Sequence, residues 1–193
     1  MKTPLILQGG VDISSRYYNE PPNKHNQHPN PHRDAIEFEE LGNAIKAGRP
    51  SIGICRGAQL QCIINGGSLY QHSESPVQNH EVQALHWKHI NGNPTIRIPK
   101  VPGAHHQIMK PFGTYHLLGW NPDEVKVWDT NEETHTEAGT AEIVWWPETK
   151  CLGIQGHPEW CNKNHPLIHY LNHLLEELDI NYAFKEPQYE FYD

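Results

Sequence analysis

Ser51-Ile-Gly-Ile-Cys-Arg-Gly-Ala-Gln-Leu60 is the stretch that decides the fold. Its apolar run, Ile52 to Ile54, stops at Cys55 between two glycines. A helical pattern begins at once, with Leu60, Ile63 and Ile64 at i, i+3 and i+4. The chain therefore reads strand, tight turn, helix. Gly53-x-Cys55-x-Gly57 is a nucleophile elbow with cysteine in place of serine. Glycines are needed there because neighbouring backbones pass close and a Cβ would collide. Cys55 then sits at a helix N-terminus, where unpaired N–H groups and the macrodipole favour a thiolate. The backbone N–H of Arg56 is available to a developing oxyanion. An isolated cysteine would be read as a buried structural residue. The two flanking glycines at a strand-to-helix junction argue against that here.

Upstream, Leu5-Ile-Leu7 is a short buried-type strand ending in Gln8-Gly9-Gly10, a turn whose N–H groups are free to face a ligand. Residues 14 to 33 are rich in Pro, Asn and His without periodicity, and read as a long surface loop, of a length that serves as a functional cover or is disordered. Asp34 with Glu37 reads as a capping box opening a helix whose apolar face is Phe38, Leu41 and Ile45 and which ends at Gly48. Strand, helix, strand, helix signals an α/β chain with a parallel sheet.

Downstream of the elbow helix, which ends at Asn65-Gly66-Gly67, the pattern is less regular. Short strands are expected near Thr95–Ile98 and Tyr115–Leu118, with turns at Asn91-Gly92-Asn93 and Asn121-Pro122. Val125–Asp129 is expected to pair with Ala141–Trp146, where strand alternation would put one of Trp145 and Trp146 in the core and the other on the surface. Cys151-Leu-Gly-Ile-Gln155 is the last strand. Leu167, Ile168, Leu171, Leu174, Leu175 and Leu178 form one stripe of a closing helix, and the tail from Asn181 would lie across the surface.

The 193 residues suit one domain, 1–193, with no internal repeat. A net charge of -8 and no Lys/Arg run argue against a nucleic-acid or membrane-surface partner. No apolar stretch approaches the ~18 residues of a membrane span, and the first residues lack a signal-peptide pattern. Four cysteines without CxxC spacing are too few for a disulfide scaffold, so the reading is a cytoplasmic protein with reduced thiols. Among fifteen histidines, His25, His28 and His32 share one loop, but no Cys/Asp/Glu set at ligand spacing accompanies them. They read as solvated.

A cysteine nucleophile needs a base and a group to orient that base. His157-Pro158-Glu159 supplies both at the end of the last strand, because residues two apart in an extended segment point the same way. By itself the tripeptide would be a solvated loop. Strand ends in an α/β sheet converge at one edge, which brings it to the elbow about a hundred residues upstream.

Gly53-Ile-Cys55-Arg-Gly57-Ala-Gln59 together with Gly153-Ile-Gln-Gly-His157-Pro-Glu159-Trp160 resembles the class I glutamine amidotransferase superfamily. Within it, the chain is most similar to the branch of γ-glutamyl hydrolases and γ-glutamyl-γ-aminobutyrate hydrolases. Gly9-Gly10-Val-Asp12, Arg33-Asp34-Ala-Ile-Glu37, Gly66-Gly67-Ser-Leu69-Tyr70-Gln71 and Ala104-His105-His106-Gln107 match that branch in order. The resemblance implies a flavodoxin-like, three-layer α/β fold: a mostly parallel central sheet with helices on both faces. It implies Cys55 as nucleophile, His157 as base then acid, and Glu159 as its orienter. Gly9 and Gly10 would form the oxyanion loop, the N–H groups of Gly10 and Arg56 the oxyanion hole, and Gln59 and His105 the glutamyl pocket. No metal or organic cofactor is required.

Two departures stand out. The family's usual strand–helix–strand unit ahead of the Gly-Gly loop is missing, so a trimmed N-terminus is expected, or a sheet edge supplied by another chain, which favours a homodimer. Pro102-Gly103 replaces an Asn-Ser pair before the pocket histidine. Three functions follow. The first is a hydrolase cleaving a γ-glutamyl amide of glutamine or a γ-glutamyl-amine through a glutamyl thioester. The second is an amidotransferase subunit passing ammonia to a separate synthetase partner. The third is a catalytically silent binding homologue, against which the intact triad argues.

Overall fold

The computed structural model describes residues 2–22, 24–26, 28–74, 78–85, 95–128 and 134–185. Strand β1 (Leu5–Leu7) pairs in parallel with β2 (Ser51–Ile54), and β2 pairs in parallel with β12 (Cys151–Ile154). These three strands are the parallel heart of the sheet. Beyond β12 the sheet continues antiparallel through β11 (Thr140–Trp146), β8 (His116–Asn121), β5 (His80–Leu85) and β6 (Thr95–Val101). A hairpin-like pair, β3 (Ser68–Tyr70) with β7 (Ile108–Lys110), joins at β11. A separate three-stranded sheet contains β4 (His72–Ser73), β9 (Val125–Trp128) and β10 (Thr134–Glu137).

Helices cover both faces, as the three-layer reading expects. On one side α3 (Pro166–Glu177) buries Leu167, Ile168, Leu171, Leu174 and Leu175 against Ile52, Ile54, Leu152 and Ile154. On the other, α1 (Pro31–Lys46) and α2 (Arg56–Ile64) bury Leu41, Ala58, Leu60 and Ile63 against Leu7, Val144 and Trp146. Strand alternation divides β2 between the faces: Ile52 and Ile54 meet α3, and Gly53 lies under α2. A Cβ on Gly53 would stand 2.5 Å from the carbonyl carbon and oxygen of Gly57. A Cβ on Gly57 would collide with the Leu7 carbonyl. The two elbow glycines are thus what lets α2 rest directly on β1 and β2.

Several expectations are corrected. Helix α1 begins at Pro31, and Asn30 caps it by accepting the Arg33 N–H at 3.1 Å. Proline at the first helical position, with φ preset and no N–H to waste, outcompetes the expected cap at Asp34. Asp34 is instead inside the protein, fully buried. Residues 14 to 33 are not all surface loop: a 3-10 turn spans Ser15–Tyr18, Ser14, Ser15 and Tyr18 are buried, and Tyr17 stacks on Phe38 at 4.2 Å. Val125–Trp128 pairs with β10 and β4 rather than with Ala141–Trp146, whose partners are β12, β8 and β7. Both Trp145 and Trp146 are buried, because β11 is central and covered on both faces. Ile180 and Phe184 are buried too, the latter held by Asn172 through both its backbone N–H and carbonyl. The Asn91-Gly92-Asn93 turn, Asp129 and residues 186–193 lie outside the described residues.

Candidate active site

The site grows from the ends of β2 and β12. Their register runs Gly53 beside Gly153 and Ile54 beside Ile154, and the Cys55 N–H donates to the Ile154 carbonyl at 2.7 Å. Both chains therefore leave the sheet at one place. At Cys55 the backbone turns sharply, with φ 51° and ψ −106°. For a residue with a Cβ, such a conformation costs roughly 1–3 kcal/mol and persists only where the surroundings enforce it. They do so here: one hydrogen bond ties Cys55 back to the sheet, and its own carbonyl accepts the Gln59 N–H that starts α2.

His157 follows β12 after two residues. Its N–H donates to the Pro102 carbonyl at 2.8 Å, and a 3-10 turn, Pro158–Trp160, opens immediately behind it. Nδ1 of His157 lies 2.6 Å from Glu159 Oε1, and the imidazole stacks on Trp160 at 3.8 Å and 4°. A carboxylate accepts only, so Nδ1 carries a proton and Nε2 is the open nitrogen. Nε2 is buried and makes no hydrogen bond. The point where a Gly9 Cβ would stand is 3.0 Å from His157 Cε1 and 3.6 Å from Cys55 Cβ. The glycine loop, the thiol residue and the imidazole thus meet at one spot.

The surroundings of Cys55 work against the expected thiolate. Burial pushes the Cys55 thiol up from 9.0 to about 12; the Arg56 N–H opposes this, and the charges of Glu159, Glu142 and Asp12 reinforce it. The helix N-terminus does act on the sulfur, through that N–H, but burial and three carboxylates outweigh it.

Arg56 contributes more than its backbone. Its side chain is 1% exposed and donates to Asp34 Oδ1 at 2.5 Å and to Glu37 Oε2. Arg33 in turn pairs with Glu37 Oε1 at 2.7 Å and donates to the Gly9 carbonyl at 3.0 Å. Two arginines and two carboxylates make a neutral chain from α1 to both the elbow and the glycine loop. Asp34 is completed by the N–H and hydroxyl of Ser14. Sequence reasoning read Asp34 and Glu37 as a capping box and missed this role. Their i, i+3 spacing, with an arginine following Cys55, was the available signal.

The remaining candidates lie close by. Gln59 is buried and its amide donates to the Gln107 carbonyl at 3.1 Å. The same carbonyl is 3.1 Å from His105 Nδ1. His105 is buried, its pKa lowered to about 4 chiefly by that burial. Of the loop histidines, His25 stacks on His72 at 4.0 Å, rather than standing free in solvent. Among the described residues no helix is long and apolar enough to cross a membrane, and all four cysteines are free.

Comparison with known proteins bears on this arrangement. The Peptidase C26 profile matches residues 3–159. YvdE of Lactococcus lactis subsp. lactis, named as a glutamine amidotransferase-like protein, is 28% identical over 171 residues, 80% of this chain and 65% of its own. NtpR of Enterococcus hirae is 45% identical over 67 residues, 35% of this chain and 28% of its own. The chain thus spans less than two thirds of the length of these relatives. A crystal structure of a glutamine amido transferase from Methylobacillus flagellatus superposes with a TM-score of 0.50 at 12% identity, covering 98% of this chain and 83% of that one, a likeness of fold alone. With the match covering the glycine loop, the cysteine elbow and the His157-Pro158-Glu159 segment, the chain belongs to the Peptidase C26 family.

Proposed function

We propose that the chain is a cysteine-dependent hydrolase of γ-glutamyl amides, acting on glutamine or a γ-glutamyl-amine. The observation that carries this reading is the meeting of Cys55 and His157 beside Gly9, with the open Nε2 of an imidazole already oriented by Glu159. In the reaction, Cys55 Sγ attacks the γ-carbonyl carbon as its proton passes to His157 Nε2. A standing thiolate is unnecessary, which suits a thiol held protonated by burial. The carbonyl oxygen takes up negative charge, and the N–H groups of Gly10 and Arg56 stabilise it. Collapse breaks the C–N bond, and His157 returns its proton to the departing amine or ammonia. The glutamyl thioester is left on Cys55. Water, deprotonated by His157, then releases glutamate and restores the thiol. Gln59 and His105 serve the glutamyl pocket, Gln59 by fixing the segment that carries His105.

The names of the relatives favour a second reading, an amidotransferase subunit delivering ammonia to a synthetase partner. Incubation with glutamine and a panel of γ-glutamyl-amines, with Cys55→Ala as control, separates the two. Turnover of a γ-glutamyl-amine by the chain alone, lost in the variant, supports the hydrolase. Turnover of glutamine only, accelerated by a synthetase, supports the amidotransferase. Absence of any turnover or Cys55 acylation contradicts both and leaves a binding homologue.

A further inference from the structure

Beside the candidate active site lies a second cluster, of which the proposed reaction uses only His105. His80 opens β5, His105 follows β6, and Glu142 sits within β11. Ligating atoms of the three lie within 4.8 Å of one another. His80 Nε2 is 3.2 Å and His105 Nε2 3.9 Å from the same oxygen, Glu142 Oε1. The three side chains are between 1% and 9% exposed.

Hydrogen bonding fixes which atoms point inward. His105 Nδ1 lies 3.1 Å from the Gln107 carbonyl and His80 Nδ1 lies 3.1 Å from the Gln78 carbonyl. A carbonyl only accepts, so both Nδ1 atoms carry protons and both rings turn Nε2 toward Glu142. Despite the short approach, neither Nε2 makes an aligned hydrogen bond, and Glu142 Oε2 has no partner either. Ring nitrogens of His80 and His105 and a carboxylate of Glu142 thus converge with buried polar atoms left without hydrogen bonds, which is costly unless a further group lies between them. A buried imidazole whose far N–H is held by a backbone carbonyl is also the arrangement that orients histidine ligands in metal proteins.

We infer that His80, His105 and Glu142 form a binding site for a divalent transition-metal ion of the zinc class, with a fourth position left for water. Two imidazole nitrogens and a carboxylate are a donor set that zinc accepts. Around a four-coordinate ion with bonds of ~2.0–2.1 Å, neighbouring ligand atoms stand about 3.3 Å apart, so the ligands need only close slightly. The ion would act on the catalytic residues through the backbone. The Glu142 carbonyl accepts the Gln155 N–H, two residues before His157, and Pro102, three residues before His105, accepts the His157 N–H. Binding would therefore stiffen the segment that aims His157. This inference does not depend on the identity of the substrate.

The test is a Co²⁺ titration of the full chain after chelator treatment and dialysis, read by visible absorption, with Zn²⁺ competition and thermal unfolding alongside. One equivalent of Co²⁺ should bind with the d–d bands of a low-coordinate site, Zn²⁺ should displace it, and Zn²⁺ should raise Tm. His80→Ala and Glu142→Gln should each weaken binding by at least about tenfold. Cys55→Ser and His72→Ala should leave it unchanged. Failure of the wild-type chain to bind stoichiometrically would overturn the site, whatever the folding state of the variants. So would binding that survives both ligand substitutions in folded protein, or that is lost with Cys55→Ser, which would place the ion on the thiol.

Discussion

The Arg56 guanidinium donates to Asp34 Oδ1 at 2.5 Å, with both side chains almost wholly removed from solvent. The same residue presents its backbone N–H to the Cys55 sulfur. One residue therefore joins the Cys55 turn to α1, and the pairing fixes where the N–H points. Removing one partner of a buried ion pair strands the other charge, which costs about 3–5 kcal/mol. Arg56→Met and Asp34→Asn are each expected to lower unfolding free energy by that order in urea titrations. A loss below ~1 kcal/mol would show the pair to be dispensable.

Gly9 is where the thiol residue and imidazole come together. An alanine there would bring its Cβ to 3.0 Å from His157 Cε1, tighter than ordinary packing, while its approach to Cys55 Cβ, at 3.6 Å, is an ordinary contact. Gly9→Ala is expected to leave Tm within a few degrees of wild type while depressing kcat far more than KM. Equal activity in the variant would mean the imidazole does not occupy this position during turnover.

Glu159 holds the imidazole proton on Nδ1. Glu159→Gln keeps the shape but allows the wrong tautomer, and is expected to lower kcat by roughly 10²–10⁴-fold. Trp160→Ala removes only the stacked surface beneath the ring and should have the smaller effect. The reverse ranking, measured on the same substrate, would make the stack rather than the carboxylate the orienting contact.

The cysteines impose a pH dependence. Burial pushes Cys55, Cys62 and Cys161 each from 9.0 to about 12. A raised acid pKa means the folded chain holds protons that the unfolded chain gives up. Stability is therefore full below about pH 9 and falls as pH climbs toward 12. Urea midpoints should decline across that window, and iodoacetamide should alkylate Cys55 more slowly than a free thiol at pH 7. A midpoint rising with pH, or fast alkylation at neutral pH, would contradict the buried, protonated thiol.

The parallel half of the fold was legible in the chain because its signals are local. Leu5–Leu7, Ser51–Ile54 and Cys151–Ile154 are short apolar runs punctuated by glycine, and the leucine stripe of α3 repeats at helical spacing. That Cys55 and the His157-Pro158-Glu159 segment leave the sheet at one edge was readable for the same reason, each following such a run. The antiparallel limb was not. β9 pairs with its chain neighbour β10 and with distant β4 rather than with β11, and the covering of both faces of β11 depends on partners far along the chain. Asp34 was misread because an acidic residue near a helix start looks the same whether it caps the helix or meets a buried arginine. His80 and Glu142 carry no local signal, being 62 residues apart and brought together only by the sheet.

The central claim, covalent catalysis by Cys55, is tested most directly by acid-quenching the protein during turnover of a γ-glutamyl amide and measuring its intact and peptide masses. A glutamyl adduct on the Cys55 peptide, absent from Cys55→Ala along with product release, is the expected result. Product release that continues in Cys55→Ala, with no adduct on any cysteine of the wild type, would contradict it.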